Sequence, residues 1–327
     1  MRDLRVSVTD RCNFRCGYCM PMEVFGPGFR FLPRAEILTF EEIAEVVRVA
    51  ADLGVTKVRL TGGEPLLRRD LPALVELLAG IPGITDLAMT TNGALLARYA
   101  GDLAKAGLDR VTVSLDSVDP GVFRTMNGVG VELETVLHGL EVAAAAGLQP
   151  IKINAVVRRG VNDEGVLELA DFARSRHHTL RLIEYMDVGE SHGWQLEEVV
   201  PGPELVELIN LRWPLQAMEP SYRGEVASRY QYSDGAGEIG LINSVTAPFC
   251  GACTRLRLSS DGKLHTCLFS TGGLDIRPLL REPQGPEGLE SAMSSLWRGR
   301  RDRYSEQRTE LTPSARSPKM EMSYLGG

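Results

Sequence analysis

Short runs in which β-branched and apolar residues alternate with polar ones recur through the first 187 residues. Each is followed by a longer stretch with apolar positions three and four apart. The strand-like runs are "LRVSVT", "VTKVRLTG", "ITDLAMTTNG", "LDRVTVSLDS", "PIKINAVV" and "TLRLIEYMD". Between them lie the helix-like stretches "FEEIAEVVRVAADLG", "DLPALVELLAG", "YAGDLAKAG", "LETVLHGLEVAAAAG" and "NDEGVLELADFARSR". Several end at Gly, which most readily takes the left-handed conformation at a helix C-terminus. The alternation predicts repeated β-α units whose parallel strands, joined by right-handed crossovers, carry functional residues at their C-terminal ends. Six units fall short of the eight of a closed barrel. The expected fold is therefore α/β: a partial (βα)6 TIM-like barrel, open on one side, over residues 1–187.

After "VGESHGW" the pattern changes to one helix-like stretch, "GPELVELINLRW", and then strand-like segments around "SRYQYS", "EIGLINSV" and "TRLRLSSDGKLHTCLF". Residues 188–327 read as a C-terminal α+β extension that covers the open side of the barrel. The basic run "WRGRRDRYSEQR" reads as a solvated helix face.

A chain of 327 residues with 43% hydrophobic residues can bury a large core. Net charge −7 argues against a generic nucleic-acid binder, whose affinity comes from cations neutralising phosphates. Neither a signal-peptide pattern nor a run of about 18 apolar residues is present, so the expectation is a cytoplasmic protein without a membrane partner.

The six cysteines form two triplets: Cys12, Cys16 and Cys19, spaced C-x3-C-x2-C, and Cys250, Cys253 and Cys267, spaced C-x2-C-x13-C. In a reducing compartment this usage favours metal ligation over disulfides. Closed structural zinc takes four protein ligands, and the first triplet has no nearby histidine. Three thiolates suit a four-iron cluster in which one iron keeps an open coordination position. For the second triplet, a zinc knuckle completed by His265 stays open as an alternative. Arg255 and Arg257, two apart in "CTRLRL", share one side of an extended strand, and paired guanidinium groups beside a metal site suit an anion such as phosphate.

The C-x3-C-x2-C motif after the first strand, Tyr18 before its last cysteine and "TGGEP" after the second strand resemble the radical S-adenosylmethionine (SAM) superfamily. Together with "TTNG", "VSLDS", "IEYMD", "FCGACTRLRLSSDGKLHTCL" and a terminal Gly-Gly, the chain resembles the GTP 3′,8-cyclase family of molybdenum cofactor biosynthesis over nearly its whole length. The resemblance implies two [4Fe-4S] clusters, one on Cys12, Cys16 and Cys19 and one on Cys250, Cys253 and Cys267. It implies that Tyr18, Gly63, Ser114 and Met186 hold SAM. Arg5, Arg59, Thr90, Lys152, Arg255 and Arg257 would hold GTP, with Arg5, Arg255 and Arg257 closest to catalysis.

The implied reaction is abstraction of the ribose C3′ hydrogen by a 5′-deoxyadenosyl radical, followed by closure onto guanine C8. Gly326 and Gly327 would enter the active site beside the arginines. A homodimer, an electron donor and handover of product to cyclic pyranopterin monophosphate synthase are further implications. A radical SAM enzyme acting on a peptide, with an auxiliary cluster, is the alternative function.

Overall fold

The computed structural model describes residues 1–281, 285–308 and 319–326. Six parallel strands lie in chain order: β1 (Asp3–Ser7), β2 (Lys57–Thr61), β3 (Asp86–Thr91), β4 (Arg110–Ser114), β5 (Lys152–Val157) and β6 (Thr179–Glu184). Helices α1 (Phe40–Asp52), α2 (Leu71–Ala79), α3 (Leu96–Lys105), α4 (Pro120–Asn127), α5 (Leu133–Ala145) and α6 (Val166–Ser175) connect them. The predicted units are thus present. One helix, α4, escaped the periodicity argument because it is short, although Asp119 before Pro120 is a start signal: its carboxylate accepts a bond from Val122 N.

Each strand keeps the predicted alternation. Leu4 and Val6 of β1, Val58 and Leu60 of β2, Ile153 and Ala155 of β5, and Leu180 and Leu182 of β6 are buried in the core. The intervening residues, Arg5, Arg59, Asn154, Val156, Arg181 and Ile183, line an interior cavity. Apolar positions hold the helices while mostly polar positions face inward, so the barrel encloses a site rather than a filled core.

The extension does more than cover the opening. After α7 (Gly202–Arg212) come β7 (Leu215–Met218), β8 (Ser228–Tyr232), β9 (Glu238–Ile242), β10 (Arg255–Leu258), β11 (Lys263–His265) and β12 (Leu274–Asp275). Strand β9 joins β6 in parallel and β10 joins β1 in parallel. The sheet order is β12-β11-β10-β1-β2-β3-β4-β5-β6-β9-β8-β7, and its two edges do not pair with each other. The 219–227 connection spans this gap: Tyr222 lies under the Arg2 guanidinium, 4.4 Å from ring centroid to Cζ, and a Cβ on Gly224 would stand 2.3 Å from the Ala252 carbonyl oxygen.

Helices α8 (Arg277–Arg281), α9 (Gly285–Arg298) and α10 (Tyr304–Gln307) follow, and the tail ends in α11 (Met322–Leu325). The "WRGRRDRYSEQR" segment is only partly a solvated face: Arg298, Arg301 and Arg303 are exposed, but two other arginines turn inward. Arg300 lines the cavity and donates to the Cys253 carbonyl, while Arg308 is buried against Asp187 at 2.8 Å. Among the described residues, no helix is long and apolar enough to cross a membrane.

Candidate active site

The loop after β1 carries the first cysteine triplet. It packs backbone to backbone on the "TGGEP" loop: Gly63 N donates to Thr9 O at 2.8 Å and Glu64 N to Arg11 O at 2.8 Å. A Cβ on Gly62 would stand 2.4 Å from Thr9 O, and one on Gly63 2.3 Å from Arg11 O, so glycine is the residue this contact admits. Glu64 is fully buried and ties the loop to β3, accepting bonds from Leu66 N (3.0 Å), Thr91 Oγ1 (2.8 Å) and Asn92 N (2.7 Å). Burial pushes its carboxyl up to about 7 against those three donors.

Cys12, Cys16 and Cys19 line one cavity with Tyr18, Gly63 and Ser114. Tyr18 donates to Asp116 at 2.8 Å, and Val156 N donates to the other Asp116 oxygen at 2.9 Å. Asp116 and Asn92 were not singled out from the sequence, although they lie within "VSLDS" and "TTNG". Asn92 donates to the Cys12 sulfur at 3.8 Å and to Asn13 at 2.8 Å. Burial pushes the Cys12 thiol up to about 11 and raises Cys16 and Cys19 as well.

A second cavity lies beside the first. Arg5, Arg59, Thr90, Arg255 and Arg257 line it, with Cys250, Cys253 and Cys267 on one wall. The ladder places Arg257, Arg5 and Arg59 at one level on three adjacent strands. Arg59 donates to Thr90 at 3.0 Å and Thr112 at 2.9 Å, so both hydroxyls hold its guanidinium in place. Arg5 Nε is buried without a hydrogen-bond partner among the described residues. Burial, then the charge of Arg255, brings Arg5 down to about 10; burial, then Arg5 and Arg181, brings Arg59 down to about 9.

Arg181, Lys57 and Arg300 line the same cavity and were missed in the sequence. The alternation of "TLRLIE" had already set Arg181 opposite Leu180 and Leu182. Seven cationic side chains thus face three carboxylates, Asp3, Glu225 and Asp302. Two expected residues sit apart from their groups. Met186 lines this cationic cavity rather than that of the first triplet. Lys152 is not among the lining residues; it lies two positions before Asn154 on the inward side of β5, where burial and then Arg181 bring it down to about 7.

Around the second triplet, Arg255 Nε donates to the Cys253 sulfur at 3.2 Å and Phe269 N to the Cys267 sulfur at 3.4 Å. Burial opposes ionisation of Cys253, but the Arg255 charge and hydrogen bonding hold it down at about 7. His265 is turned elsewhere: its Nδ1 is 2.9 Å from Ser270 Oγ and its ring meets Tyr324 edge to face. His265 is not among the residues that line the cavity holding the second triplet.

The Radical SAM superfamily model matches residues 6–173, and the Molybdenum Cofactor Synthesis C model matches residues 178–306. Proteins named GTP 3′,8-cyclase from Acidothermus cellulolyticus and from Staphylococcus aureus strain Mu3 are 51% and 45% identical to this chain. Both alignments cover all of the chain, with 97% and 96% of the relatives' lengths. The chain belongs to the GTP 3′,8-cyclase family. A solved structure of Streptococcus suis SuiB bound to S-adenosylmethionine shares the fold, with TM-score 0.62 and 16% identity over 90% of this chain and 65% of that one.

Membership of the GTP 3′,8-cyclase family makes the chain a radical SAM enzyme, and the peptide-modifying alternative is not favoured. The superfamily implies a [4Fe-4S] cluster and SAM, and the first triplet fits such a cluster. Its three thiols are free and share one cavity, with N–H donors aimed at the Cys12 sulfur from Asn92 and, at 3.4 Å, from Phe14. Iron ligation would offset the cost of ionising these buried thiols.

Proposed function

We propose that this chain converts GTP to 3′,8-cyclo-7,8-dihydro-GTP, with Cys12, Cys16 and Cys19 holding the SAM-binding cluster and Cys250, Cys253 and Cys267 holding a second. When bound, cluster and SAM supply a 5′-deoxyadenosyl radical. The observation that carries the reading is the pair of adjoining cavities: one holds the first triplet, and the other joins the second triplet to the row Arg257, Arg5 and Arg59.

A nucleoside triphosphate carries about four negative charges at neutral pH. The excess of cations over carboxylates in the second cavity is of that size. Arg5, Arg59, Arg181, Arg255 and Arg257 bind and orient the triphosphate, and Lys152, behind the lining residues on the inward side of β5, adds its charge. Tyr18, fixed by Asp116, joins Gly63 and Ser114 around SAM, while Met186 lines the cavity that receives GTP. The second triplet keeps the guanine edge in place, so that C8 stays within reach of ribose C3′. Hydrogen leaves C3′, a C3′–C8 bond forms, and one electron and one proton complete the product.

The tail supports this reading. Arg257 donates to the Gly326 carbonyl, and Gly326 lies against Thr61 with φ of +73°. Gly327 lies outside the described residues. In this reading the enzyme is a cytoplasmic homodimer, draws electrons from a donor and passes its product to cyclic pyranopterin monophosphate synthase. The decisive experiment is anaerobic incubation of the reconstituted protein with SAM and 3′-deuterated GTP. Deuterated 5′-deoxyadenosine together with the cyclised nucleotide is expected; neither product forming would overturn the reading.

A further inference from the structure

The two cavities share five lining residues: Thr90, Asn154, Val156, Ile183 and Met322. Four belong to barrel strands β3, β5 and β6, whereas Met322 alone comes from the tail. Its place is fixed from both sides. The preceding Glu321 accepts bonds from Glu190 N at 3.0 Å and Ser191 Oγ at 2.9 Å. It also lies so close to Gly189 that a Cβ there would stand 2.2 Å from the carboxylate. On the other side, Tyr324 donates to Asp261 at 2.5 Å, Leu325 is fully buried and the Gly326 carbonyl is held by Arg257. With the chain pinned at 321 and again at 324–326, residue 322 faces the junction of the cavities.

We infer that Met322 is a positioning residue for hydrogen transfer: its side chain lines the passage between the cavities and sets the nucleotide ribose against the first-cysteine side. This rests on the proposed function and adds a specific residue to it. Hydrogen transfer requires the reacting atoms to approach within about 3–3.5 Å, and a slack passage lets the radical quench elsewhere. Methionine suits the place because an unbranched, polarizable side chain fills an irregular gap between apolar walls such as Val156 and Ile183. Docking of the tail thereby completes the wall of the passage in which the two bound molecules meet.

The test uses the anaerobically reconstituted enzyme with SAM and 3′-deuterated GTP. Met322→Ala is expected to form at least about threefold more 5′-deoxyadenosine per cyclised nucleotide, with a smaller deuterated fraction, because alignment rather than radical formation is lost. Met322→Leu, close in volume, should restore the wild-type ratio. GTP affinity by equilibrium dialysis should stay within about twofold of wild type, since no charge is removed. Hydrogen exchange over 319–326 should be unchanged, showing that the tail still docks. An unchanged product ratio in Met322→Ala overturns the inference, as does failure of Met322→Leu to restore it. Loss of tail protection in Met322→Ala also overturns it, by making the residue an anchor. Absence of deuterated 5′-deoxyadenosine from the wild-type enzyme would instead sink the proposed function.

Discussion

Arg5 stands directly opposite Arg59 across the parallel β1–β2 ladder. Backbones in such a ladder are about 4.8 Å apart, so two like charges are held side by side in a buried place. Burial lowers both residues' affinity for protons, with Arg255 adding repulsion at Arg5 and Arg5 at Arg59, and Arg5 Nε has no partner among the described residues. The arrangement stores an electrostatic cost that a polyanion relieves. Arg5→Met or Arg59→Met should therefore raise the ligand-free melting temperature while weakening GTP binding by about tenfold or more, the scale of one charged hydrogen bond. Thermal scans with and without GTP check both signs; a variant that loses ligand-free stability contradicts this account.

Lys152 supplies a pH signature. Its proton affinity is depressed to about 7, whereas the unfolded chain has the ordinary lysine value. Its contribution to stability is therefore present above the unfolded value and is lost as pH falls through about 7. An arriving triphosphate favours the ammonium form, so GTP binding at pH 8 should take up a proton. Calorimetry in buffers of different ionisation enthalpy measures this uptake, and Lys152→Met should abolish it.

Asp187 anchors the tail. It accepts bonds from Arg308 Nε at 2.8 Å and Lys319 Nζ at 3.0 Å, and from Tyr304. Burial alone would raise its carboxyl, but Arg308, Tyr304 and Lys319 together hold it below the usual range. The stability it gives is present above the unfolded carboxylate value and disappears as pH falls through the lower folded one. Asp187→Ala removes the carboxylate that the buried Arg308 and Lys319 share and should cost about 3–5 kcal/mol. Hydrogen exchange should speed up first over residues 319–326.

Gly63→Ala forces a Cβ to within 2.3 Å of the Arg11 carbonyl, a backbone atom that cannot step aside alone. The first-cysteine loop must shift, so on the proposed two-cluster reading the first cluster should be lost while the second remains. Iron should fall from roughly eight to about four per chain. Full iron content in Gly63→Ala contradicts this account.

Much of the fold was legible because alternation along a strand is a local signal. "LRVSVT" and "TRLRL" already separate apolar from cationic positions, and the structure puts those sides on the core and on the cavity. The two cysteine triplets were legible for the same reason, since a ligand loop carries its spacing in the chain. Arg300 and Arg308 were misread because a basic helical run looks alike whether its partner is water or a carboxylate more than a hundred residues away, such as Asp187 for Arg308.

The sequence by itself determined the β-α order, the thiol spacing and the side of each strand on which Arg5, Arg59, Arg255 and Arg257 stand, because each depends on the few residues nearest in the chain. The tertiary structure decided that β10 lies beside β1, which brings Arg257 level with Arg5 and sets the second triplet on the wall of the same cavity. It also decided that the tail returns to place Met322 between the two cavities. These are long-range pairings, fixed by which surfaces can be buried together rather than by any local pattern.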